Sequence, residues 1–339
     1  MAVDGPLAPI AITLGEPAGI GPEITLKAWH RRVFHDLPLF YLIGDPGLLR
    51  GVAKKMSSPP PIKEIAEPAE AADVFDTALP ILPIALAGRV KPGRPNTRHA
   101  TAVMAAIEQA VSHARAGAAA AVVTNPIQKS VLHKAGFKHP GHTEYLAELC
   151  AAKRSPVMLL SCPGLKAVPV TIHLPLQEAV AALTTDLIVE RALTTAAALE
   201  RDFGLSPPRL AVAGLNPHAG EDGELGSAER DIILPAVRRI AAEGIDVAGP
   251  LPADSMFHAE ARRAYDAAIC MYHDQALIPI KTIAFEFGIN VTLGLPIVRT
   301  SPDHGTALDL AGRNEADPAS LISAIGYAGL IARRRRRFG

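Results

Sequence analysis

At 339 residues the chain is longer than one hydrophobic core usually supports, so two domains are expected. Lys and Arg together number 34, as do Asp and Glu, which leaves no net field to draw nucleic acid or a membrane surface and points to a small-molecule partner. Hydrophobic residues make up 49% of the sequence, yet the most apolar runs break well before the roughly 20 residues a membrane span needs, and the acid- and proline-bearing N-terminus is no secretory signal.

In chain order, "IAITLG" reads as a strand that passes into the glycine-rich "TLGEPAGIGPEI", where Pro22 opens a helix. "LFYLIGD" reads as the next strand. From 54 to 98 the prolines of "SSPPPIKE" and "VKPGRPNTR" predict a loop-rich surface excursion. A helix at 97–116 and a strand at "AAAVVTNP" follow, then a helix opening at "GHTE" and a strand at "VMLLSC". Helices at 186–203, 228–243 and 318–336 alternate with strands at "LAVAGLNP", "DAAICMYHD" and "NVTLGLP". This rhythm implies an α/β protein whose helices cover a mostly parallel sheet. The five arginines at 333–337 read as a solvated helix end. Cys150, Cys162 and Cys270 are too widely spaced for a CxxC motif and too few for a disulfide framework, and read as reduced, buried thiols of a cytoplasmic protein.

In α/β sheets ligands gather at the carboxyl ends of strands, and the polar clusters fall there. His173 in "TIHLP", His218 in "NPHAGEDG" and His273 in "YHDQ" each close an apolar run. Three imidazoles suit Zn or another divalent metal, with a hydrogen-bonded structural role as the alternative for each one alone. Asp254 and Asp274 are candidate acceptors for the imidazoles or candidate bases, and Lys281 a candidate for holding an anion or moving a proton. For Asp254 a surface salt bridge is the rival role. His142 and Thr143 stand where a helix start offers free N–H groups to a phosphate, or where a plain cap would sit. Asn290 and Arg299 flank "VTLGLPIV", and an arginine there suits bidentate recognition of phosphate or carboxylate. The glycine-rich loop is not GxGxxG and only Asp45 is on offer as its acidic partner, so a standard Rossmann site is disfavoured.

Taken together, "TLGEPAGIGPEI", "GHTEYLAE", "GLNPHAGEDGELGSAE", "GPLPADSMF", "YHDQALIPIK" and "VTLGLPIVRTSPDHGTALDLAG" resemble the 4-hydroxythreonine-4-phosphate dehydrogenase family of pyridoxal phosphate biosynthesis, over nearly the whole chain. More distantly, "GIGPEI" and "HGTALDLAG" are similar to loops of isocitrate and isopropylmalate dehydrogenases. The resemblance implies a two-domain α/β/α fold with a cleft between the domains, residues 1–130 plus 300–339 binding NAD and residues 131–299 binding metal and substrate and forming a homodimer. It implies one divalent metal (Zn, Mg or Co) held by His173 and His218 of one subunit and His273 of the other. It further implies substrate contacts from His142, Thr143, Lys281, Asn290 and Arg299, and His304 and Asp309 against the adenosine half of NAD, with NADP left open. Lys281 or Asp274 is the implied base, on a strand-to-loop segment, with Asp254 a third acid–base candidate. The implied reaction is oxidation of 4-phosphohydroxy-L-threonine to 2-amino-3-oxo-4-phosphonooxybutanoate, then decarboxylation to 3-amino-1-hydroxyacetone phosphate. Glu16 stands where an aspartate is common in the family, which keeps the carboxylate. Rival readings are a dehydrogenase of phosphothreonate or phosphoerythronate, and a metal-dependent hydrolase.

Overall fold

The computed structural model describes residues 5–139, 141–152 and 155–338. The chain forms two units, residues 1–156 with 295–337, and residues 157–294 with the last two residues. The first break falls after 156, where the sequence suggested 130, because Leu132, Phe137, Tyr145 and Leu146 all bury into the first core. The chain rejoins that core at 295, ahead of the suggested 300, through Leu295 and Ile297.

In the first unit, strands β1 (Ile10–Thr13), β2 (Phe40–Gly44), β3 (Ile62–Glu64), β4 (Leu79–Pro83) and β5 (Ala121–Thr124) alternate with helices. The helices are α1 (Gly21–His30), α2 (Pro46–Ala53), α3 (Ala71–Val74), α4 (Ala100–Arg115), α5 (Lys129–Lys134) and α6 (His142–Leu149). The second unit contains β6 (Val157–Cys162), β7 (Leu165–Pro169), α7 (Leu176–Ala182), α8 (Thr185–Phe203), β8 (Arg209–Ala213), α9 (Leu234–Ala242), β9 (Asp246–Leu251), β10 (Ala267–Cys270), α10 (His273–Ala284) and β11 (Ile289–Leu293). Strand β12 (Arg299–Pro302) and helix α11 (Ala319–Phe338) complete the first unit. No helix among the described residues is long and apolar enough to cross a membrane.

The first unit's strands run β3-β4-β2-β1-β5-β12, all paired parallel. Both faces of the sheet are covered, so β1 and β5 are buried at every position. Helix α4 lays Val103, Ala106, Ile107, Ala110 and Val111 on the core, the i, i+3, i+4, i+7, i+8 stripe of an amphipathic helix. Burying one such isoleucine contributes about 2 kcal/mol. In the second unit the order is β11-β6-β7-β10-β8-β9. Here β11, β6 and β7 pair antiparallel, while β7, β10, β8 and β9 pair parallel.

Residues 54–98 are more than the surface excursion the prolines suggested, because β3 and β4 extend the first sheet there. Asp45, weighed above as a nucleotide-binding acid, spends both oxygens on the backbone. Its Oδ1 accepts from Leu48 N at 2.8 Å and caps α2, while Oδ2 accepts from Leu86 N at 2.9 Å. Asp45→Ala is expected to cost about 2 kcal/mol, read as a lower denaturation midpoint, because the helix loses its cap and the β4 exit its tether.

Candidate functional site

The three histidines follow three neighbouring parallel strands. His173 comes after β7, His273 after β10 and His218 after β8, so all three stand at the carboxyl edge of one sheet. Backbone and side-chain hydrogen bonds tie these strand ends together. Thr171 donates from Oγ1 to Met271 O at 2.8 Å. Gln275, buried in the first turn of α10, accepts from Met271 N at 2.6 Å and donates to Gly214 O at 2.8 Å. The chain of bonds therefore runs from the β7 exit through β10 to the loop after β8.

The His173 and His273 rings lie with centroids 6.1 Å apart, tilted by 42°. They line a cavity of about 250 Å³ with Thr171, Leu174, Tyr272 and Asp274. Asp274 Oδ1 is 2.6 Å from His273 Nδ1, which holds the ring and leaves Nε2 for a ligand, the usual role of a carboxylate behind a metal-binding imidazole. His218 lies in the turn Pro217–Gly223, where five successive residues from His218 to Asp222 have positive φ. Four of the five are not glycine, and left-handed helical backbone costs roughly 1–2 kcal/mol for each such residue. His173 shares that conformation at φ 52°. Strain of this kind persists only where the surroundings enforce it, and it collects at functional sites.

Among the described residues no three His, Cys, Asp or Glu side chains of one chain form a group that could hold a metal. The donors still fit a divalent ion in kind, since each is an imidazole at the carboxyl end of a strand and His273 is braced by a carboxylate. Asp254 is exposed and shares a second cavity with Asp274, Phe257 and Ile278. Lys281 lies on a helix, and the strand-to-loop expectation for "YHDQALIPIK" is corrected: α10 starts at His273 directly after the turn and carries Pro279 inside it. Eight residues of helix put Lys281 about 12 Å along the axis from His273. Its ammonium lies 5.3 Å from the centroid of the Phe285 ring. Asn290 is on β11 with a buried Oδ1 that meets no partner.

The first unit gathers a second polar cluster. Arg299 opens β12 fully inside the protein, with Nη2 donating to Thr124 Oγ1 at 2.6 Å, and burial pulls its guanidinium down to about 10. His142 opens α6, whose N-terminus has no side-chain cap, with Thr143 beside it. Burial first, then the charges of Arg299 and Lys129, hold the imidazole well below its ordinary value, so it is neutral at physiological pH. Its Nε2 is buried with no hydrogen-bond partner. Two cations, a neutral imidazole and open backbone N–H groups make a site for an anion.

His304 and Asp309 sit on a loop pinned to the glycine-rich segment. Ile20 N donates to Thr306 O at 3.1 Å, and Thr306 Oγ1 donates to Gln128 Oε1 at 3.0 Å. Gly19 allows this approach, since a Cβ there would meet Thr306 O at 2.8 Å. The nearby cavity, of about 420 Å³, is lined by Gly312 and Asn314 of the following segment with Pro17, Glu23, Asp45 and Lys55, and not by His304 or Asp309. Glu16 is buried; burial raises its carboxyl, and the hydrogen bond from Ala18 N partly offsets this.

The sequence does not point to Gln275 or Glu229, whose bonds are chiefly to backbone groups. Nor does it point to Thr124, which the fold alone sets beside Arg299.

An α/β chain with imidazoles along one strand edge and a buried cationic site at another is an enzyme acting on a small molecule. Comparison with known proteins identifies the group. A family model described as "Pyridoxal phosphate biosynthetic protein PdxA" matches residues 36–328. The 4-hydroxythreonine-4-phosphate dehydrogenase of Bradyrhizobium diazoefficiens is 54% identical over 335 residues, 96% of this chain and 97% of the relative. That of Methylorubrum populi is 52% identical over 332 residues, 96% and 95% of the two chains. A crystal structure of 4-hydroxythreonine-4-phosphate dehydrogenase from Klebsiella pneumoniae superposes with a TM-score of 0.86 at 37% identity, covering 96% of this chain and 99% of the other. The chain belongs to the PdxA family of pyridoxal phosphate biosynthetic proteins and is a dehydrogenase.

The neutral state of His142 has a stability consequence. Its value in the folded chain is depressed below the ordinary 6.5, so below that pH the unfolded chain takes up a proton that the folded chain refuses. Stability is complete above 6.5 and falls as the pH drops below it, by up to about 1.4 kcal/mol per pH unit for one such group. Urea unfolding of His142→Asn is expected to show a flatter loss of stability from pH 6.5 downward than the parent.

Proposed function

We propose that the chain oxidises 4-phosphohydroxy-L-threonine with NAD and one divalent metal, and that the resulting 3-oxo acid loses carbon dioxide to give 3-amino-1-hydroxyacetone phosphate. The observation that carries this reading is the placement of His173, His218 and His273 at one carboxyl edge, beside the family membership. His173 and His218 of one subunit and His273 of the other would hold the metal, which when bound supplies Lewis acidity to the hydroxyl and the carboxylate of the substrate. Asp274 keeps the His273 ring in the tautomer that presents Nε2. Arg299 and the neutral His142 bind anionic oxygen, the imidazole as a hydrogen-bonding group that needs no proton uptake. Thr143 and the backbone N–H groups at the start of α6 complete that contact, and in this reading Asn290 and Lys281 are further substrate contacts.

Since Asp274 is committed to His273, we assign removal of the hydroxyl proton to Lys281. Asp254 stays at the rim of the cavity it shares with Asp274. We place NAD along the loop of His304 and Asp309, with the cavity bounded by Gly312 and Asn314 taking part of the dinucleotide. A homodimer accords with the apolar side chains that α10 and its exit leave exposed, namely Ile278, Phe285 and Phe287.

The test is the appearance of reduced nicotinamide when full-length protein meets NAD and 4-phosphohydroxy-L-threonine, with and without a chelator. The expected result is a rise that the chelator abolishes and added divalent metal restores. His218→Ala is expected to remove turnover while its far-ultraviolet circular dichroism stays that of the parent. Turnover that ignores the chelator, or near-parental activity in His218→Ala, overturns the metal assignment. Faster turnover of phosphothreonate under the same conditions would move the substrate assignment to that acid.

A further inference from the structure

The left-handed turn that carries His218 is wrapped around one buried carboxylate. Glu229 is 6% exposed and lies in the wide helical turn Glu229–Ile233 ahead of α9. Its Oε1 accepts from Leu215 N at 2.7 Å and from Asn216 N at 2.6 Å, and its Oε2 accepts from Asn216 Nδ2 at 2.9 Å. The same carboxylate presses on the middle of the turn, since a Cβ at Gly220 would stand 2.7 Å from Oε2. Gly220 has φ +86°, so the close approach and the backbone conformation both require glycine there. Burial raises the Glu229 carboxyl, and the bonds from Asn216 and Leu215 together outweigh it and hold the group below the ordinary carboxylate value. A charged acceptor thus meets three donors at the entry of the turn and one glycine at its centre, on either side of His218.

We propose that Glu229 is a positioning residue for His218, fixing the strained turn so that the imidazole keeps its place at the strand edge. The inference rests on the reading of His218 as a metal ligand. Glu229 acts through Leu215, Asn216 and Gly220, whose backbone it holds. The chemistry of the three bonds sets what a substitution can do. In Glu229→Gln the Oε1 position still accepts from both backbone N–H groups, and a flip of the Asn216 amide restores the third bond. In Glu229→Ala nothing accepts, and the turn is free to leave its left-handed course.

The measurement is Co(II) binding to full-length protein, read as affinity by chelator competition and as the visible absorption of the bound ion. Glu229→Ala is expected to lose about 10- to 100-fold in affinity, the usual effect of removing a group that orients a ligand, and to change the absorption spectrum. Glu229→Gln is expected to return both toward the parent. A folded Glu229→Ala protein with parental affinity and spectrum overturns the proposal. If Glu229→Ala does not fold, Asn216→Ala decides: a several-fold loss with an altered spectrum supports the positioning role, and unchanged binding overturns it. His218→Ala separates this proposal from the reading beneath it. Loss of Co(II) binding in His218→Ala beside unchanged binding in Glu229→Ala refutes the role of Glu229 alone, whereas unchanged binding in His218→Ala refutes the ligand assignment itself.

Discussion

The hydrogen bonds of Gln275 are the constraint on which the second unit's polar edge depends. Its amide accepts from the backbone that leads into His273 and donates to the backbone that leads into His218. An uncharged amide meets one donor and one acceptor at once with a planar, rigid head. A carboxylate there would have nothing to offer Gly214 O, and an apolar side chain would leave both backbone groups buried without partners, at about 1–3 kcal/mol each. With Thr171 bonded to Met271 O, bonds between groups 61 and 100 residues apart in the chain keep three loops in a shared frame.

Strain and its containment divide the labour in that frame. The αL conformations at His173 and from His218 to Asp222 aim side chains that an extended or right-handed backbone would direct elsewhere. Glu229 supplies the local hold, and the parallel strands β7, β10 and β8 supply the base from which the loops leave. The first unit solves a different problem. It keeps Arg299 in the interior beside the His142 imidazole, which desolvation first and then two cationic neighbours keep neutral. A site that is cationic by its buried arginine and an exposed lysine and neutral at its histidine attracts an anion without the cost of a second buried charge.

Much of this was legible along the chain. The strands that read clearly, such as β1, β5 and β6, are buried on both faces and therefore mostly apolar. The strands that did not read, β3, β4, β7, β9 and β12, are short, edge-placed or carry proline and polar residues. Strand β12 is the extreme case: "RTSP" has no apolar period, yet all four residues are buried and Thr300 spends its hydroxyl on Ala324 O. Helix α10 carries Pro279 inside it, and the one backbone bond this removes is tolerable inside a packed element.

What the sequence by itself determined was the alternation of elements, the candidate donors at strand ends and the family, because these depend on local composition and on motifs contiguous in the chain. The tertiary structure alone decided which strands are neighbours, and hence that His173, His218 and His273 share one edge. It also decided that Asp45 tethers Leu86 N and that Gln275 and Glu229 hold the loops. The physical reason is that these side chains answer to backbone donors and acceptors many residues away, and a backbone N–H or C=O looks the same at every position until the fold sets it beside its partner.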